Sequence, residues 1–304
     1  MTAPLRGTQS LVGQMGWVLN RPLLIAIEVG WRWLFGIPFL AVCWIEMQRI
    51  VAEVPPASAG LDSINAQNPW QASVQLAHAW TFYAPHVGVV LRWLAPLGAL
   101  AWVVVSGLGR SLVLKRIDPE MAARLRFRPL PMMLLQAGWL ALLGATCWGW
   151  FGSMEWVAAT HITNDAEPDL VGFAIWLIFL SLAFFTAWAL ASWTFSVAPL
   201  LMLLEERSAL SALGQSPRLG KEFTGKLVEI NMVMGIVNLA LIVLAMVLSA
   251  APLPFSDELG ADALHGISAV AVVFYLVASD YFQVVRLKGF VEFWKMFRGG
   301  ESAS

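Results

Sequence analysis

Six apolar runs divide this chain, at residues 29–51, 86–110, 132–156, 170–198, 228–252 and 265–287. Each approaches the ~20 residues that carry a helix across a bilayer core. None shows the strict alternation of a half-buried strand, so the runs predict helices. The fourth belongs to an uncharged stretch from Leu170 to Leu204. At ~1.5 Å per residue that stretch overshoots the membrane. Pro199 is therefore expected to kink it and leave Leu200 to Leu204 near the headgroups. The first run is the weakest, with only 33–45 free of charge. Arg32 and Arg49 can reach opposite interfaces from its two ends. Glu46, Arg49 and Glu53, at i, i+3 and i+7, extend the helix to the outer rim.

Between the runs the pattern changes to amphipathic. Phe290, Phe293, Trp294 and Phe297 repeat at helical spacing, with Lys288, Glu292, Lys295 and Arg298 on the other face. This predicts a helix lying in the headgroup plane; packing on a neighbouring subunit is the alternative. Leu11, Met15, Val18 and Leu19 make a similar stripe before the first run. Asp118-Pro119-Glu120 supplies a cap, a first-position proline and a first-turn acid for a short helix ending near Arg126. Asn68-Pro69 starts another, with Trp70, Val74 and Ala77 on one stripe.

Charge gives these runs an orientation. Segments 53–85, 155–169 and 253–264 hold nine carboxylates and no lysine or arginine. Seventeen of the nineteen basic residues lie at 6–32, 110–128, 207–226 and 286–298. Basic connections stay in the cytoplasm, so both termini are expected there. Composition agrees: 59% of residues are hydrophobic and 13% charged, against about 45–50% and 25% in soluble domains. Sixteen tryptophans against three tyrosines put many indoles, Trp17, Trp31, Trp33, Trp70, Trp80 and Trp156 among them, near the expected interfaces. A net charge of −1 excludes a global basic field for nucleic acid. Cys43 and Cys147 fall inside spans and read as buried small hydrophobes. No cleavable signal sequence is evident, so the first run is expected to be a retained anchor.

The chain also suggests an internal repeat. Glu28-Val29-Gly30-Trp31 returns as Gln136-Ala137-Gly138-Trp139, and Leu34 and Gly36 match Leu142 and Gly144. Arg21-Pro22-Leu23 and Arg128-Pro129-Leu130 precede the two copies, and a third starts near Lys221 with Glu229 in the polar position. Ser106, Ser196 and Ser279 each stand eight residues before a leucine. The expectation is one membrane domain, 1–298, built from units 9–116, 117–206 and 207–298, each an interfacial helix followed by a two-span hairpin, with a flexible tail at 299–304.

Arg207-Ser208-Ala209-Leu210-Ser211-Ala212-Leu213, followed by Gly220 to Asn231 and an apolar run, resembles uncharacterised bacterial six-span membrane proteins. They are similar to the membrane domain fused to glycerophosphodiester phosphodiesterases. The likeness covers about a quarter of the chain and lacks the aromatic of an ALxxSW-like stretch. It implies a fold and no activity, because no phosphodiesterase catalytic domain accompanies it.

Polar groups inside a membrane invite a functional reading. Glu28, Gln136 and Glu229 occupy matching positions near the cytoplasmic mouths of the first, third and fifth spans. Arg32 follows Glu28 by four residues. Asp280 lies about two turns inside Arg286 beside Ser279, Tyr281 and Gln283, with Arg110 as a candidate partner. Together these six, Glu28, Arg32, Gln136, Glu229, Asp280 and Arg110, either line a cytoplasm-facing polar vestibule or register and cap the helices. Arg92 is expected to snorkel outward. His78, His86, His161 and His265 fall on the outer side near Asp62, Glu167 and Asp262, but without ligand spacing, so no metal and no cofactor is expected. Phosphate-loop, HExxH, GxSxG and CxxC motifs are absent from the sequence.

The expectation is an all-α polytopic protein of a bacterial inner membrane. It is read as a non-enzymatic accessory or scaffold subunit, with lipid and other membrane proteins as partners and no nucleic acid. A small transporter or channel is the alternative, and a lipid-modifying enzyme the third class.

Overall fold

The computed structural model describes residues 7–63, 69–117, 129–163, 169–205, 208–216, 221–250 and 261–301. Within them the chain is helical apart from short connections: α1 (Gly7–Leu19), α2 (Pro22–Glu53), a 3-10 turn (Leu61–Ser63), α3 (Pro69–Ile117), α4 (Pro129–Ala158), a π-helical turn (Ala159–Thr163), α5 (Leu170–Leu204), α6 (Ala209–Gln215), α7 (Lys221–Ala250) and α8 (Ala261–Glu301). Six of these, α2, α3, α4, α5, α7 and α8, are long and apolar enough to cross a membrane. The expected short helix at Asp118-Pro119-Glu120 lies outside the described residues.

Three elements differ from the sequence pattern. The segment opening at Pro69 is not a separate helix; it continues into the second span as one 49-residue helix, α3. Pro85 and Pro96 lie inside it, and their fixed φ is compatible with helix once neighbouring turns tolerate the lost N–H. The C-terminal aromatic stripe is likewise the end of a continuous 41-residue α8 rather than an independent helix in the headgroup plane. Phe290, Phe293 and Trp294 are buried, and α8 packs against α1 and α7. The helix reaches Glu301. Finally, Leu200, Leu201, Met202 and Leu203 are buried with Val197 and Ala198, so the end of α5 is covered by protein.

Contacts divide the chain into two compact units, Trp31–Ser106 and the remainder. In the smaller, α2 and α3 run antiparallel. Phe39 lies over Gly98, where an added Cβ would come within 2.6 Å of the ring. Trp102 meets both Trp31, at 5.8 Å between centroids, and Phe35, at 5.2 Å. The Tyr83 hydroxyl donates to the Val54 carbonyl at 3.1 Å, where α2 gives way to a tight loop turned at Gly60 (φ 74°). That left-handed conformation suits glycine.

In the larger unit α4 and α5 are antiparallel too. Phe195 covers Gly138 and Phe184 covers Gly149, Trp139 meets Trp188 at 5.6 Å, and Trp150 Nε1 donates to Ser181 Oγ at 2.9 Å. Glycines under rings let helix backbones approach where water gives no hydrophobic drive. Hydroxyls within the spans satisfy themselves on carbonyls one turn back: Ser111 on Gly107, Thr146 on Leu142, Ser153 on Gly149 and Thr186 on Leu182. This is how a span satisfies most of its serines and threonines; the buried Ser106 hydroxyl has no such partner.

α5 starts on a defined cap. The Gly172 N–H donates to Asp169 Oδ1 at 2.8 Å, and His161 Nδ1 stands 3.3 Å from Oδ2. Those bonds hold the Asp169 carboxyl below the usual carboxylate range, the Gly172 N–H contributing most. The cap's stabilisation is complete above the ordinary aspartate value near ~3.9 and is lost as pH falls through the lower folded-state value. The protection of the Gly172 amide, measured against its intrinsic exchange rate at each pH, should therefore fall only in acid below about pH 4. Asp169→Asn, which caps without titrating, should remove that acid dependence.

Candidate functional site

The polar residues of the larger unit gather where α1 and α8 meet. Gln14 on α1 is buried and its amide donates to Glu292 Oε2 at 2.9 Å. Lys288 Nζ meets the other Glu292 oxygen at 3.0 Å. The same ammonium lies 4.3 Å from the Trp17 ring centroid, and the Arg21 guanidinium lies 3.7 Å from it. Tyr281 donates its hydroxyl proton to the Met15 carbonyl at 3.0 Å. Gly289 sits so close beneath that a Cβ there would stand 2.8 Å from Gln14 Oε1.

A second polar group lies one to two turns back along α8. With its amide oxygen turned toward the guanidinium, Gln283 accepts from Arg110 Nη1 and Nη2 at 2.8 and 3.1 Å. Asp280, three residues before it, is 4% exposed. Arg286 stacks over Phe290 at 5.7 Å. Glu28 on α2 is 0% exposed. An acidic side chain removed from water needs hydrogen-bonding or charged neighbours.

The six residues expected to line one vestibule occupy different environments. Glu28 and Asp280 are buried, Gln136 and Arg110 half-buried, and Glu229 exposed beside buried Ile230. Arg32 belongs to the smaller unit, where its guanidinium lies 5.3 Å from the Trp31 ring centroid. Glu28 and Glu229, matched by sequence, thus differ in exposure. Three of the histidines are dispersed: His78 stacks edge-on with Phe82, His86 faces Glu53 at 3.6 Å, and His161 supports the α5 cap. The His265, Glu167 and Asp262 side chains lie outside the described residues. No group of three metal-ligating side chains occurs among the described residues.

The sequence pattern missed the Gln14–Glu292–Lys288 group and the indole between two cations. Its only signal was that Gln14 and Trp17 flank the apolar stripe of α1. A contact across 278 residues leaves no local periodicity.

No protein-family model, curated protein sequence or solved structure matches this chain. The site is read from its own chemistry.

One substitution probes whether the interior needs Asp280's polarity. Asp280→Leu leaves its surroundings without a polar group and should cost about 1–3 kcal/mol. Asp280→Asn, which keeps hydrogen-bonding capacity, should cost clearly less. Thermal unfolding of the detergent-solubilised variants checks this; equal loss would mean that bulk rather than polarity is what the site requires.

Proposed function

We propose that this chain is an integral accessory or scaffold subunit of a bacterial inner membrane, working by association with other membrane proteins and with lipid. In this reading its spans form three helix hairpins and both termini are cytoplasmic, as the distribution of basic residues favours. The six-span resemblance carried by Arg207 to Leu213 and 220–231 fits the same assignment and adds no activity to it.

The observation that supports the reading is the apolar surface the spans leave uncovered. None of the most apolar 18-residue window of α5 is buried, and 6% of that of α3. Trp148 is 82% exposed, and Phe151, Phe179 and Phe185 are exposed with it. Lipid covers some of this surface; large flat aromatics are also the residues that anchor helix partners. The buried acids point the same way. A solute path needs charged groups along accessible water, whereas Glu28 is fully enclosed and Gly289 leaves no room beside Gln14.

Extraction of the tagged protein with its surrounding bilayer, followed by cross-linking and mass determination, tests this. A reproducible complex with a second membrane protein is the expected result. A free monomer as the sole species after gentle extraction contradicts the proposal. Glu28 and Asp280 motivate the transporter alternative, and a water-filled route reaching Asp280 from the cytoplasm would favour it.

A further inference from the structure

The smaller unit carries a second constellation of charge, at the far end of α2. Glu46, Arg49 and Glu53 follow one another at helical spacing. Arg49 Nε donates to Glu53 Oε1 at 3.3 Å, and Arg49 Nη1 is 4.0 Å from Glu46 Oε2. From α3, His86 brings Nε2 to 3.6 Å from Glu53 and Nδ1 to 3.3 Å from the Phe82 carbonyl. These side chains line a groove of about 300 Å³ with Pro85, Val89 and Trp93. A second groove of about 360 Å³ shares Glu46, Ile50 and Val90 with the first. Its other walls are apolar, including Met47, Trp80, Tyr83 and Leu91.

Depth, charge and shape select a ligand. Glu46 to Glu53 spans roughly 10 Å of helix, enough to cross a headgroup layer and enter the acyl region of a bilayer. Trp80 and Trp93 are the side chains that settle at that boundary. The Arg49 side chain is 69% exposed; its Nε donates to Glu53 and its Nη1 lies 4.0 Å from Glu46, and the guanidinium has further N–H donors for a phosphate. Glu46 and Glu53 on either side repel a purely anionic headgroup and suit an ammonium, which the Trp93 face also attracts. A lone cation is opposed by Arg49. The alternation of negative, positive and negative matches a headgroup that carries both signs a few bonds apart.

We propose that this end of the α2–α3 pair binds an aminoethyl phospholipid, a lipid whose primary ammonium lies two carbons from its phosphodiester. Arg49 takes the phosphate, and Glu46 and Glu53 take the ammonium. The apolar groove across the seam holds an acyl chain. The side of the bilayer follows from the charge distribution and is the outer leaflet. The site rests on the six membrane-length helices and needs no partner subunit, so it stands or falls independently of the accessory role.

Native mass spectrometry of the detergent-purified full chain tests it. The added probe is an equimolar mixture of ethanolamine, choline and glycerol phospholipids with the same acyl chains. The ethanolamine lipid should be retained about five- to tenfold over the other two, the return of one or two exposed ion pairs. The double variant Glu46→Gln, Glu53→Gln should lose that preference, Arg49→Ala should weaken retention of every phospholipid, and Glu155→Gln should change nothing. Equal retention of the three lipids by the unsubstituted protein overturns the proposal without reference to any variant's folding. So does an unaltered preference in the double variant that keeps native circular dichroism and elution, or a second copy of the chain recovered in place of lipid.

Discussion

Replacing Gly107 with valine should cost the larger unit at least about 1–3 kcal/mol, the penalty for overpacking a close contact. A Cβ at Gly107 would lie 2.5 Å from Met133 Cγ and 3.1 Å from both Met133 Cα and its backbone nitrogen. The side-chain atom can move, but the backbone atoms belong to the first turn of α4 and cannot move without shifting the helix. The same position feeds Ser111, whose hydroxyl donates to the Gly107 carbonyl at 2.7 Å, so displacement also disturbs the chain leading to Arg110. Gly144→Val is the control, because nothing lies within 4 Å of a Cβ there. Thermal or denaturant unfolding in detergent should show a clear drop for Gly107→Val and little for Gly144→Val. Equal effects would show that helix propensity, and not contact at Met133, decides the outcome.

Phe290→Ala should cost about 3–5 kcal/mol, as removal of a large core aromatic does when its site cannot collapse. Phe290 is 1% exposed, with Phe293 and Trp294 buried beside it, and its ring also receives the Arg286 guanidinium. Its neighbours are fixed from outside the aromatic group: Glu292 pairs with Lys288 and accepts from Gln14, and Tyr281 donates to the Met15 carbonyl. Loss of the ring should therefore loosen α1 as well, seen as faster proteolysis near exposed Arg21. The prediction separates two readings of one sequence pattern. Were the stripe resting on headgroups, as its amphipathic spacing suggested, Phe290→Ala would weaken membrane contact and leave unfolding almost unchanged.

The stripe shows where periodicity stops being informative. An amphipathic helix looks the same to a sequence whether its apolar face meets lipid or meets another part of the chain. Phe290 and Trp294 packed inward because Gly289 lets α8 approach Gln14 closely, a fact recorded some 275 residues away. The span count was legible because length and charge-free composition decide it locally; α4 and α5 lie within a few residues of their expected starts. Helix continuity was less legible, since Asn68-Pro69 signals a start correctly without saying where the helix ends, and α3 runs on to Ile117. Among the candidate site residues, Asp280 stood out through its depth in a span, and it is buried. Repeat matching placed Glu229 with Glu28, but register does not determine which side of a helix is covered, and one is exposed, the other buried. The Glu46–Arg49–Glu53 triplet was read as helix support alone, because His86 and Trp93 come to it only through the antiparallel approach of α3.

The orientation of the spans underlies the partner, the lipid leaflet and the function. It is tested most directly by single cysteines placed in a chain lacking Cys43 and Cys147, labelled with a membrane-impermeant maleimide on intact inner-membrane spheroplasts. Cysteines at Ala57 and Thr160 should label from outside, and those at Gly13 and Leu210 only after the membrane is opened. Labelling of Gly13 or Leu210 from outside, or protection of Ala57 and Thr160, would contradict the account.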